Sequence, residues 1–83
     1  MESVTYTIEG MLIEVDKPEE KPQAQKLIAI RAVTGMNRSK FSEWLGVPYR
    51  TMQDWELGVS KIPEYVLNLI AYKVANEREK GKI

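Results

Sequence analysis

The sequence predicts a mainly helical fold, a compact helix-turn-helix bundle of about four helices with a β-hairpin at its N-terminal end. Three observations predict it. Residues 37–58, NRSKFSEWLGVPYRTMQDWELG, read as two short helices around a tight Leu-Gly-Val turn. A long amphipathic segment follows Pro63. Ahead of Asp16, apolar and polar residues alternate around Glu9-Gly10, as in a half-buried hairpin. Eighty-three residues make one small domain, divided as a hairpin arm (1–16), a linker (17–22) and the helical part (23–83). A core of that size is marginal, so a partner subunit would help to stabilise it.

Each element has a local reason. Val4-Thr-Tyr-Thr-Ile8 and Met11-Leu-Ile-Glu-Val15 both alternate. A two-residue loop at Glu9-Gly10 sets Ile8 against Met11, Tyr6 against Ile13 and Val4 against Val15, with all six side chains on one face. Thr5, Thr7, Leu12 and Glu14 take the other. DKPEEKP, residues 16–22, is a charged linker punctuated by proline. Helix 1 is expected from Gln23 to about Val33, with Ala24, Leu27, Ile28 and Arg31 on its inner face. Arg31 is the odd member, because a charge facing inward needs a partner or a route to solvent. Gly35 suits the helix stop. Asn37 is an N-cap for helix 2, Arg38 to Leu45, with Phe41 and Leu45 inward and a small Ser42 at the crossing. Gly46 supplies the turn. Pro48 starts helix 3, which runs to Leu57 with Met52 and Trp55 inward, and Gly58 closes it. Pro63 opens helix 4, reaching about Glu79. It carries one stripe of Val66, Ile70 and Val74 and a second of Tyr65, Leu69 and Tyr72. That is more apolar surface than one small core requires.

Composition excludes several classes of function. There is no cysteine and no histidine, hence no disulfide, thiol nucleophile, imidazole base or usual zinc site. No nucleophile–base pair or phosphate-cradling glycine loop is present, so an enzyme is not expected, nor any metal or cofactor. No apolar run approaches the roughly 20 residues of a membrane span. Met-Glu-Ser opens an alternating segment instead of an apolar block, so no secretory leader is expected and a cytoplasmic location is. Net charge is zero but unevenly spread. Residues 1–23 carry two basic and six acidic groups, and residues 24–62 carry six basic and three acidic. An acidic arm on a basic middle points toward nucleic acid.

The second helix of such a pair enters the major groove of double-stranded DNA. Its outward residues near the start, Tyr49, Arg50, Thr51, Gln53 and Asp54, are the candidate base readers. Arg50 can donate two hydrogen bonds to guanine O6 and N7, Gln53 can read adenine, and Asp54 can accept from cytosine N4. Tyr49 can bond a phosphate or pack on a thymine methyl. Asn37, Arg38, Lys40 and Lys61 flank this face and suit phosphate contacts.

The segment from Leu27 to about Val74 resembles the lambda-repressor-like helix-turn-helix family, the phage-repressor and Xre type of transcriptional regulator. The matching residues are Arg31, Gly35, the run Phe41-Ser42…Leu45-Gly46-Val47, then Thr51-Met52…Trp55-Glu56…Gly58, and Pro63. The Trp-Glu-x-Gly ending of helix 3 is the most specific part. The resemblance implies sequence-specific DNA binding as a homodimer, a repressor function, and a structural ion pair between Arg31 and Glu56. It implies base reading at Tyr49, Arg50 and Asp54, with Thr51 and Gln53 nearby. Arg38 stands where the family has a phosphate-binding glutamine, and Pro48 where it has a hydroxyl cap. Two helices usually follow the motif in that family, whereas one long helix is expected here.

Two features lie outside the motif. Trp44 stands where that family has an exposed polar residue. It either packs under the hairpin or, with Tyr65, Leu69 and Tyr72, forms a partner surface. The acidic hairpin either packs on the helices or pairs by its edge with a protein partner. The second use would make the chain an antitoxin, clamping a toxin and binding DNA to autoregulate.

Overall fold

The computed structural model describes residues 3–16 and 21–83, so Lys17 to Glu20 of the expected linker lie outside the described residues. The elements are β1 (Ser3–Ile8), β2 (Met11–Asp16), α1 (Pro22–Thr34), α2 (Arg38–Leu45), α3 (Tyr49–Leu57) and α4 (Glu64–Glu79). The fold is mainly helical with one antiparallel two-stranded hairpin.

Alternation settles the hairpin. Ile8 faces Met11, Tyr6 faces Ile13 and Val4 faces Val15, in the register the apolar period requires. Glu9 and Gly10 both have positive φ, 49° and 82°, which is the twist a two-residue connection needs. Met11, Ile13 and Val15 are buried while Leu12, on the other face, is 72% exposed. Lys26 of α1 holds its Nζ 4.4 Å from the centre of the Tyr6 ring, a cation–π contact between helix and hairpin. The hairpin is therefore not a free arm. Its inner face belongs to the same core as α1, α3 and α4. Any partner of the hairpin has only the outer face and the strand edges to use.

α1 is the hub, touching β2, α3 and α4. Its inner face differs from expectation. Ala24, Leu27 and Ile30 are buried, whereas Ile28 is 39% exposed. Packing against three elements centres the buried arc on Leu27, with Ala24 and Ile30 three residues to either side, and leaves Ile28 at its edge. α2 is capped as its sequence demands, because Asn37 Oδ1 accepts from the Lys40 N–H at 2.8 Å. Ser42 is buried at the crossing, its hydroxyl donating to the Ser39 carbonyl at 2.9 Å. The chain reverses at Gly46, and the Val47 N–H returns to the Ser42 carbonyl at 2.9 Å.

Pro48 and Pro63 sit one residue earlier than expected, at the N-cap and not at the first helical position. Phe41 and Met52 are fully buried between α2 and α3, but Leu45 and Trp55 are only half-buried. In α4 the buried set is Leu67, Ile70, Ala71 and Val74. Val66, expected in that stripe, is half-buried at its margin. Trp44 is half-buried. Its ring stacks on Phe41 with centroids 6.1 Å apart and lies under Lys73 Nζ of α4 at 4.8 Å. Those contacts pin it between α2 and α4 and leave only part of the indole for a partner.

Membership of the hairpin in the core sets an expectation. Ile13→Ala should cost about 2–5 kcal/mol of stability. Leu12→Ala, one residue away on the outer face, should change it by about 0.5 kcal/mol or less. Urea denaturation of both variants checks this, and equal effects would mean the hairpin is not docked.

Candidate nucleic-acid interface

The candidate interface is built on α3, and α3 is held by a buried carboxylate. Met52 and Glu56, spaced i, i+4, are its two buried residues, and the Glu56 side chain is wholly inaccessible. A carboxylate there must be matched in charge and hydrogen bonds. Arg31 supplies both, its Nε donating to Oε2 at 2.8 Å and its NH2 to Oε1 at 3.0 Å. This is the bidentate geometry that suits arginine to carboxylates. A third arginine donor, NH1, reaches the Met36 carbonyl at 3.2 Å.

The second Glu56 partner changes one assignment. Arg38, expected at a phosphate, donates its Nε to Glu56 Oε1 at 3.1 Å. That hydrogen bond is the main cause holding the Arg38 guanidinium above its usual pKa. Desolvation opposes it, and Tyr49 adds a smaller effect in the same direction. Its side chain is 26% exposed. Arg38 thus ties α2 to α3 first, and only its outward nitrogens remain for a phosphate. Nothing in its local pattern announced this. A fully buried carboxylate has room for more than two donors, and the helix crossing brings the second arginine to it.

The outward face of α3 is organised around Arg50. Its side chain is 84% exposed, and its Nε lies 3.5 Å from Asp54 Oδ1 one turn further on. The contact is too exposed to add much stability. It does bias the guanidinium along the helix face, and it engages the carboxylate that would otherwise repel phosphate. Tyr49 is 47% exposed at the start of the helix. Gln53, Asp54 and Thr51 are half-buried. Sequence reasoning passed over Leu57, 50% exposed, which lies seven residues after Arg50 and continues the same face.

The start of α3 is also open electrostatically. Pro48 gives no side-chain cap, and the Met52 N–H makes the first bond back, to the Pro48 carbonyl at 3.1 Å. The N–H groups ahead of it have no backbone partner among the described residues and can meet an anion. Lys40 and Lys61 are exposed. The Asn37 oxygen is committed to its cap, leaving the amide nitrogen.

The end of α3 is fixed by a residue assigned to the linker. Lys21 Nζ donates to the Leu57 carbonyl at 3.1 Å. Its methylenes lie against Gly58, which has φ +76°, so a Cβ there would be strained and would also meet Lys21. Among the described residues no group of three acidic, cysteine or histidine side chains could hold a metal ion, and no helix is long and apolar enough to cross a membrane.

Compared with protein-family models, with curated proteins and with solved structures, the chain finds no match.

The geometry makes the two arginines unequal. Arg31→Ala removes both Glu56 bonds and the Met36 bond, and should cost about 3 kcal/mol. Arg38→Ala, losing a single bond near the surface, should cost about 1 kcal/mol. The double variant should lose more than the sum of the two, because the buried carboxylate is then left with neither. Chemical denaturation of the three variants measures this.

Proposed function

We propose that this chain is a sequence-specific binder of double-stranded DNA and a transcriptional regulator, a repressor that occludes its site. α3 lies in the major groove with Tyr49, Arg50, Gln53 and Asp54 toward the base edges. The observation that carries the reading is the division of α3. One side is locked into the fold through Glu56, and the other presents an almost fully exposed Arg50 whose Nε lies 3.5 Å from Asp54 Oδ1. A helix held in place from its inner side, with an exposed guanidinium on its outer face, suits bidentate guanine recognition. A carboxylate one turn on can accept from a cytosine amino group.

Lys40, Lys61 and the outward part of Arg38 serve the phosphates on either side, with the uncapped start of α3 between them. The basic middle of the chain supplies attraction, while the acidic N-terminal segment keeps the total near neutral. This arrangement favours binding through a limited basic face over coating of DNA by an overall basic protein.

Selection of bound sequences from a random duplex pool tests the reading directly. Enrichment of a G·C-containing motif is expected, and failure to enrich any motif would reject it. Arg50→Ala should weaken binding to the selected site by about 1–3 kcal/mol and relax specificity at one base pair, with unfolding unchanged. Lys40→Ala and Lys61→Ala should instead weaken all duplexes alike and reduce the salt dependence by about one unit of slope each.

A further inference from the structure

We propose that the cleft between the start of α1, the start of α4 and the end of α3 binds a small organic phosphate, a phosphate monoester carried on a flat apolar body. The cleft is open to solvent and has a volume of about 680 Å³. Small-molecule sites run from about 300 to 1,000 Å³, so it has room for such a ligand. Lys21, Lys61 and Trp55 line it, with the buried Ala24 and Ile62 between them. Neither Arg50 nor Asp54 does, so the cleft is distinct from the outward face of α3.

Charge selects the head of the ligand. Lys61 is exposed and makes no ion pair or side-chain hydrogen bond among the described residues. Lys21 uses one ammonium N–H on the Leu57 carbonyl at 3.1 Å and keeps two more donors. The Trp55 indole N–H, which can only donate, is also without a partner among the described residues. The backbone adds to this excess of donors. Lys21 and Pro63 give α1 and α4 no side-chain cap, and the N–H groups of Gln23, Ala24 and Glu64 have no backbone partner among the described residues. Glu64 is the one acidic side chain in the lining, and the two ammonium groups outweigh it. A phosphate monoester carries about −1.5 to −2 charges at neutral pH, which matches two lysines better than a carboxylate does. Lysine meets phosphate as a point charge and needs no fixed fork geometry.

The apolar wall selects the body. Ala24, Ile62 and the half-buried Trp55 present hydrocarbon that an inorganic ion would leave wet. A flat ring joined to the phosphate covers it. The site goes beyond the DNA-binding reading and does not rest on it. The two do touch, because Lys61 is a proposed duplex contact and Lys21 closes α3 at Leu57.

Phenyl phosphate is the probe, titrated into the full chain without DNA and followed by amide and indole N–H signals in NMR. The chain has two tryptophans, and loss of one indole signal in Trp44→Phe identifies that of Trp55. The Trp55 indole and the amides of Gln23, Ser60 and Glu64 should shift saturably, with a dissociation constant on the order of 1 mM or below. Inorganic phosphate lacks the ring and benzyl alcohol lacks the charge, so each should bind about tenfold more weakly or worse. Lys61→Ala should weaken phenyl phosphate about tenfold, and Glu64→Gln should tighten it. Both positions are exposed, so thermal unfolding of the ligand-free variants should stay in place. Absence of a saturable shift at Trp55 would overturn the proposal. So would equal binding of inorganic phosphate, indifference to Lys61→Ala, or shifts as large at Lys40 and Arg50 as in the cleft. Because no DNA is present, these outcomes are separate from success or failure of the duplex selection.

Discussion

The structure depends on one buried carboxylate. Glu56 lies inside a core too small to solvate it and is made tolerable by three charge-assisted hydrogen bonds from two arginines. Those donors come from different elements, Arg31 from α1 and Arg38 from the first turn of α2. One side chain therefore fixes α3 against both of its neighbours. Apolar packing through Phe41 and Met52 would tolerate small rotations of α3 about its axis. A bidentate arginine contact is directional and tolerates far less. The angle at which Arg50 and Asp54 leave the molecule is thus set from inside.

The same division of labour recurs in α4. Leu67, Ile70, Ala71 and Val74 close the core against α1. The face carrying Tyr65, Leu69 and Tyr72 is mostly exposed. A helix apolar on both sides is unstable on its surface face unless something covers it. In both α3 and α4, one side is buried in the core and the other faces solvent.

Much of this was legible in the sequence, and the reasons are specific. The hairpin register follows from a side-chain period of two, because a slip of one residue would turn Met11, Ile13 and Val15 into solvent. The Asn37 cap and the stops at Gly35, Gly46 and Gly58 follow from backbone chemistry within four residues. The outward face of α3 follows from a period of 3.6. The errors lie where several elements converge. Ile30 takes the core place expected for Ile28, because three neighbours widen and turn the buried arc of α1. Trp44 finds its partners in Phe41 and in Lys73, far along the chain. Lys21 was read as linker, yet its ammonium closes α3 at the Leu57 carbonyl, 36 residues away.

By itself, then, the sequence determined the elements, the Asn37 cap, the glycine stops and the buried face of the hairpin, since those depend on neighbours a few residues apart. It also singled out Arg31, because an isolated charge on an inner helix face demands a partner, while Glu56 as that partner came only from the family resemblance. Only the tertiary structure decided that Glu56 would take a second arginine, that the hairpin would join the core instead of hanging free, and that the tyrosine stripe of α4 would stay uncovered. Each of these depends on how many elements reach one point in space. Short-range periodicity says which side of a helix is buried, and the packing of three or more elements says against what.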